Sequence, residues 1–148
     1  MKFSELMNEF GREVGLAGIT LDESGTCRFQ VANTVLAFTG ADDADRFMIW
    51  AEIGELPAEG RAELLRGLLV EMQPGGGLDG QTVFSVFPGS DTLALCRGMS
   101  LAGLELAQFF EATEAFIDLA EDWRHRLLDF TPPAGPASAK ASSGFTNI

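Results

Sequence analysis

Apolar positions fall at helical spacing in three stretches, and five shorter stretches read as strands. Phe3, Leu6, Met7, Phe10 and Val14 recur every three or four residues, the single stripe of an amphipathic helix over 3–15. Gly15 suits a left-handed helix end. Gly11 within the helix costs about 1 kcal/mol relative to alanine and marks a close packing contact. After the turn Asp22-Glu23-Ser24-Gly25, residues 27–31 alternate as a half-buried strand does. A short link at Asn33-Thr34 leads to a second strand, 35–39. A third strand, 46–53, follows the turn 40–45, and the three form an antiparallel meander.

The third strand is apolar on both faces. Phe47, Ile49, Ala51 and Ile53 share one side and Met48 and Trp50 the other, because alternate residues of a strand point oppositely. Pro57 fits the first turn of a second helix over 58–72, striped by Leu64, Leu65, Leu68, Leu69 and Met72. Two more strands, 81–87 and 92–97, are joined by the turn Pro88-Gly89-Ser90-Asp91. The first of them is also apolar on both faces, with Val83 and Phe87 opposite Phe84 and Val86. Ser100 is placed to cap a final helix over 101–128, with Phe109, Phe116, Ala120, Trp123 and Leu127 at helical spacing. The order α-β-β-β-α-β-β-α reads as an α+β fold: three helices against an antiparallel five-stranded sheet. Residues 1–130 form the expected domain, and the Pro/Ala/Ser-rich stretch 131–148 a flexible tail.

Composition adds two points. Twelve phenylalanines, two tryptophans and five methionines in 148 residues exceed what one helical layer readily covers, which points to self-association or an apolar ligand. The formal charge of −12 argues against nucleic acid and anionic membranes as partners. No apolar run approaches the roughly 20 residues of a membrane span, and the start of the chain lacks a signal-peptide pattern. A cytoplasmic protein is expected, with Cys27 and Cys96 as reduced core residues.

Candidate chemistry is sparse. Gly75-Gly76-Gly77-Leu78-Asp79-Gly80 satisfies G-x-G-x-x-G, but a helix precedes it and a strand follows, the reverse of the dinucleotide-binding context. Asp42, Asp43 and Asp45 lack the glycine and distant glutamate of a calcium loop and read as a solvated turn. His125 is the only histidine, so no catalytic triad or zinc site is expected around it. No cofactor, metal or catalytic residue is expected.

Several segments together resemble the type III secretion chaperones of the Tir-chaperone (CesT-like) class. They are Phe10-Gly11 with Gly15-Leu16, Leu21 to Cys27, Ala51 to Pro57, Leu64-Leu65 with Leu68-Leu69, and Phe116-Ile117 with Ala120 to Arg124. The resemblance spans about residues 3–128. It implies a non-enzymatic cytoplasmic homodimer that binds the N-terminal segment of a secreted effector, keeps it export-competent and presents it to the secretion ATPase. It implies effector contact through the first helix and first three strands, with Phe29, Val31, Leu36, Phe38, Met48 and Trp50 the favoured residues. It implies a dimer interface of Leu65, Leu68, Leu69, Met72, Phe84 and Val86. The glycine-rich linker and the tail depart from the family pattern. A regulatory or small apolar-ligand-binding module on the same fold is the alternative.

Overall fold

The computed structural model describes residues 1–16 and 19–132. Helix α1 spans Phe3–Glu13, followed by strands β1 (Thr26–Val31), β2 (Thr34–Thr39) and β3 (Arg46–Glu55). Helix α2 covers Arg61–Met72, strands β4 and β5 cover Thr82–Val86 and Thr92–Ser100, and helix α3 covers Leu106–Leu128. The element order is the one the apolar periodicity predicts. The sheet is antiparallel throughout in the order β1-β2-β3-β5-β4, so the doubly apolar strand β3 sits at its centre.

One face of the sheet carries the core. Phe47, Ile49, Ala51 and Ile53 of β3 are buried there with Leu36 and Phe38 of β2 and Leu93 and Leu95 of β5. The stripe of α1 and the α3 residues Phe109, Phe116, Ala120 and Trp123 complete the cluster. Phe10 is its junction: its ring centroid lies 5.3 Å from Phe29, 5.4 Å from Phe38, 5.5 Å from Phe109 and 5.6 Å from Phe110. Such ring pairs contribute about 0.5–1.5 kcal/mol each beyond the area they bury. Gly11 is the close contact expected of it, since a Cβ there would run into the Ile19 side chain.

Three boundaries differ from expectation. Helix α1 stops at Glu13, with Gly15 just beyond it in the left-handed region (φ 79°). Helix α2 begins at Arg61 and not at 58, so Pro57 lies in a connector and not in the first turn. That connector is held by Arg61, which donates from Nε to Pro57 O (2.9 Å) and from Nη2 to Leu56 O (3.2 Å) and pairs with Asp91 at 3.1 Å. Ser100 does not cap α3. It ends a longer β5, its Oγ accepts the Ala102 N–H at 3.2 Å, and the chain turns at Gly103 (φ 67°) before α3 starts at Leu106. The helix is instead capped by Gln108, whose Oε1 accepts the Glu105 N–H at 3.1 Å. The expected tail falls largely on 133–148, outside the described residues.

Candidate binding surfaces

Among the described residues no helix lies over the second face of the sheet. Strand register places Arg28, Ala37, Trp50, Cys96 and Val83 in one row across all five strands. Small neighbours on either side leave Trp50 standing above the row. Phe87, just past β4, brings its ring to 6.0 Å from the indole. A groove of about 190 Å³ results, with Val35, Ala37 and Trp50 as apolar floor and Arg28, Glu52 and Phe87 at its margins. Met48 and Trp50 are both half-buried on this side. Each faces away from α1 and α3, as the alternation of β3 dictates.

The six residues expected in effector contact therefore separate. Met48 and Trp50 line the open face, Val31 is exposed at the end of the edge strand β1, and Phe29 is half-buried against Phe10. Leu36 and Phe38 are corrected: both are wholly buried between sheet and helices, and reaching them would mean lifting α1 and α3 away. Register gives the reason. Leu36 pairs with Ala51 and Phe38 with Ile49, and directly paired residues share a face, so both must lie with the core side of β3. Phe87, Val35 and Ala37 were missed as part of the open face. The signal existed, because alternation puts Phe87 on the side of Val83.

The second surface lies between α2 and β4. Leu65, Leu68, Leu69, Met72, Phe84 and Val86, the six residues expected to share an interface, line one groove of about 240 Å³ with Ser85 and Leu93. The helix touches the outer edge of β4, where Met72 Sδ accepts the Phe84 N–H at 3.1 Å. Within the groove the residues differ in role. Leu68 is buried, Leu69 is 63% exposed and Val86 40% exposed. Phe84 sends its ring edge-on against Trp123 of α3 at 4.9 Å, so it anchors the groove floor to the core.

The remaining chemistry is structural. Gly76 and Gly77 fold back on the end of α2: Gly77 N–H donates to Glu71 Oε2 (2.8 Å) and Leu78 N–H to Glu71 O (3.2 Å). A Cβ at Gly76 would collide with the carbonyl oxygens of Glu71 and Val70. The glycines thus close a helix C-terminus, the negative end of its dipole, which repels phosphate. Asp42 caps α1 by accepting both the N–H and the hydroxyl of Ser4 at 2.8 Å. The N–H of Ser4 and its hydroxyl hold the Asp42 carboxyl below its usual range.

Asp22 is lowered likewise, chiefly by the Ser24 hydroxyl and the Thr26 N–H. At Asp79 burial pushes upward, but the N–H groups of Thr82 and Gln81 outweigh it and the net direction is down. Glu121 of α3 accepts the hydroxyl of buried Thr34 and the Arg124 guanidinium, and is lowered by both. That contact ties the β1–β2 hairpin to α3. Cys27 and Cys96 are free and buried, and burial raises both thiols to about 11. Among the described residues no three His, Cys, Asp or Glu side chains cluster to hold a metal ion, and no helix is long and apolar enough to cross a membrane.

The fold is shared with solved structures of low sequence identity. A chain of the ExsC–ExsE complex superposes with a TM-score of 0.69 at 19% identity, covering 86% of this chain and 97% of that one. A chain of the HopA1–SchA chaperone–effector complex gives 0.65 at 15% identity, covering 83% and 93%. The heterodimeric ExoU–SpcU complex from the type III secretion system of Pseudomonas aeruginosa gives 0.61 at 13% identity, covering 84% and 97%. No curated protein matches the chain. The model of the Tir chaperone protein (CesT) family matches residues 5–124, from α1 to near the end of α3, and the chain belongs to that family.

Proposed function

We propose that this protein is a homodimeric cytoplasmic chaperone of type III secretion, which binds the N-terminal segment of an effector, keeps it export-competent and delivers it to the secretion ATPase. The observation that carries this reading is the pair of apolar surfaces left on two sides of a CesT-family fold. A single protomer covers one sheet face with α1 and α3 and leaves the α2/β4 groove and the Trp50 face open.

The α2/β4 groove is assigned to a second copy. Its exposed leucine and valine sit on a helix and an adjacent edge strand, a surface that can meet its own image across a two-fold axis. The Trp50 face, with Met48, is assigned to the client, together with Val31 and Phe29, which point to the other side of the edge strand β1. A shallow apolar track beside an unpaired strand edge suits an extended segment, held by backbone pairing and by side chains in shallow pockets. The acidic surface keeps such a protein dispersed despite exposed apolar area. Grooves of about 190 and 240 Å³ fall below the roughly 300–1,000 Å³ of typical small-molecule pockets, which weighs against the small-ligand alternative. The role is one of binding and not of catalysis.

Affinity capture of the tagged chain from its native cytoplasm, with mass spectrometry of what stays bound, tests the client. A secreted protein whose N-terminal segment becomes protease-resistant in the complex is expected, whereas a co-purifying small molecule would overturn the assignment. Light scattering tests the second copy: a monodisperse monomer at micromolar concentration refutes the homodimer.

A further inference from the structure

Strand β1 is one of the two edges of the sheet, and its ladder fixes which backbone groups face outward. The Thr26 N–H donates to Asp22 Oδ1 at 3.0 Å and its C=O accepts the Asp22 N–H at 2.9 Å, so both point away from β2. Its hydroxyl lies 2.8 Å from that of Thr39, its ladder partner. Thr26 is thus a non-hydrogen-bonded position of the antiparallel pair, and such positions recur at every second residue. Arg28 and Gln30 therefore also turn their N–H and C=O outward, and among the described residues no backbone group takes them up. On the other edge, the outward N–H groups of Thr82 and Phe84 in β4 are already held, by Asp79 Oδ1 at 2.7 Å and Met72 Sδ at 3.1 Å.

Side chains along the β1 edge divide by face. Arg28 pairs with Ala37 and Ala37 with Trp50, so Arg28 belongs to the open face. Phe29 and Val31 lie on the other side, Phe29 half-buried against Phe10 and Val31 exposed. A strand added to β1 would alternate between these two environments. Arg28 is exposed and short of a counter-charge. Arg12, Arg61, Arg97, Arg124 and Arg126 each pair with a carboxylate, whereas among the described residues Arg28 pairs with none, in a chain of 22 acidic and 10 basic residues. Asp22 is near enough to feel Arg28, but its carboxylate is engaged by the N–H and hydroxyl of Ser24 and the N–H of Thr26. Glu52 stands on β3, so the backbone of an added strand would pass about 14 Å from its own and about 5 Å from that of Arg28. Physiological salt screens over about 8 Å, so Arg28 sets the local charge.

We propose that Arg28 is a specificity-determining residue: the client segment that adds to β1 carries an aspartate or glutamate opposite Arg28, with apolar side chains one and three positions away, beside Phe29 and Val31. This rests on the reading of the open face and its β1 edge as the client surface, and it names the chemical class of the segment bound there. Residues directly opposite in a ladder share a face, where unlike charges attract and like charges repel. A body of net charge −12 repels an acidic segment at most other places. The carboxylate therefore fixes the register of the added strand as well as its identity.

A phage-displayed library of random nonapeptides, panned on the immobilised full chain, tests the assignment. Wild type is expected to enrich peptides with an acidic residue and apolar residues one and three positions from it. Arg28→Glu should enrich lysine or arginine at the acidic position with the same apolar spacing. In fluorescence anisotropy, exchanging the acid of the best wild-type peptide for lysine should weaken its binding to wild type about tenfold and tighten its binding to Arg28→Glu. An acid preference that persists in Arg28→Glu, enrichment blind to charge, or no enrichment overturns the proposal. Gln30→Pro separates it from the reading beneath it, because proline there removes an outward N–H and leaves the ladder to β2 intact. Charge-blind peptides that bind Gln30→Pro poorly would keep the β1 edge as the client surface and remove only the selectivity. Peptides that bind Gln30→Pro as tightly as wild type would remove the edge itself, and the proposal with it.

Discussion

Shortening Leu69 to alanine should loosen the proposed dimer and leave the protomer's fold nearly unchanged. Full burial of a leucine side chain is worth about 1.5–3 kcal/mol. Leu69 is 63% exposed in the protomer, so roughly 1–2 kcal/mol of that remains for a partner to supply. Alanine keeps part of the contact, leaving a loss of about 1 kcal/mol per copy. A two-fold interface contains the residue twice, which doubles the loss to about 2 kcal/mol and raises the dimer dissociation constant roughly 30-fold.

Leu68, its neighbour, is only 4% exposed. Leu68→Ala should instead cost about 2–5 kcal/mol of folding stability through the cavity it leaves. Sedimentation equilibrium across a concentration series reads the first effect, and urea unfolding of a dilute sample the second. A Leu69→Ala dimer constant within twofold of wild type would remove the α2/β4 groove from the interface.

Trp50→Ala should weaken capture of the client with little loss of stability, whereas Leu36→Ala should cost about 2–5 kcal/mol in urea unfolding. Client binding that ignores Trp50 would refute the open face as its surface. Gly76→Ala should destabilise the chain by about 1–3 kcal/mol through overpacking, because its Cβ meets backbone carbonyls that cannot swing aside. An unchanged unfolding midpoint would contradict that geometry. The carboxyls of Asp22, Asp42, Asp79 and Glu121 all lie below their usual 3.8 or 4.5 in the fold. The unfolded chain therefore binds more protons just below those values. Their stabilisation is complete above about pH 4.5 and is lost as pH falls through the depressed folded values. Replacing Asp42 by asparagine should flatten that acid limb, and an unaltered pH profile would deny the Ser4 cap its role.

Element order, and the two faces of β3, were legible because period and length are written locally in the sequence. What the sequence withheld was register. Phe29, Leu36 and Phe38 alternate as cleanly as Met48 and Trp50, and alternation cannot say which set faces the helices. The pairing of Phe38 with Ile49 decides it, and pairing is a long-range property. Polar neighbours carried a hint: Thr26, Arg28 and Gln30 alternate with Cys27 and Phe29, so the β1 side shared with Arg28 was the better candidate for solvent. The late start of α3 was also foreshadowed, since Gly103 fits a turn better than a helix interior. The α2/β4 groove was easier to read because both of its walls, a leucine stripe and a doubly apolar strand, are nearly contiguous in sequence.

The ring cluster around Phe10 has a consequence for synthesis. Phe10 emerges from the ribosome long before its partners Phe109 and Phe110. At about 5–20 residues per second, the interval is roughly 5–20 s. For that time the nascent α1 displays Phe3, Leu6, Met7 and Phe10 with no α3 to close over them. The first helix translated is thus the last to be locked in place. A newborn chain of this protein is, for those seconds, itself an unfolded apolar segment in need of company.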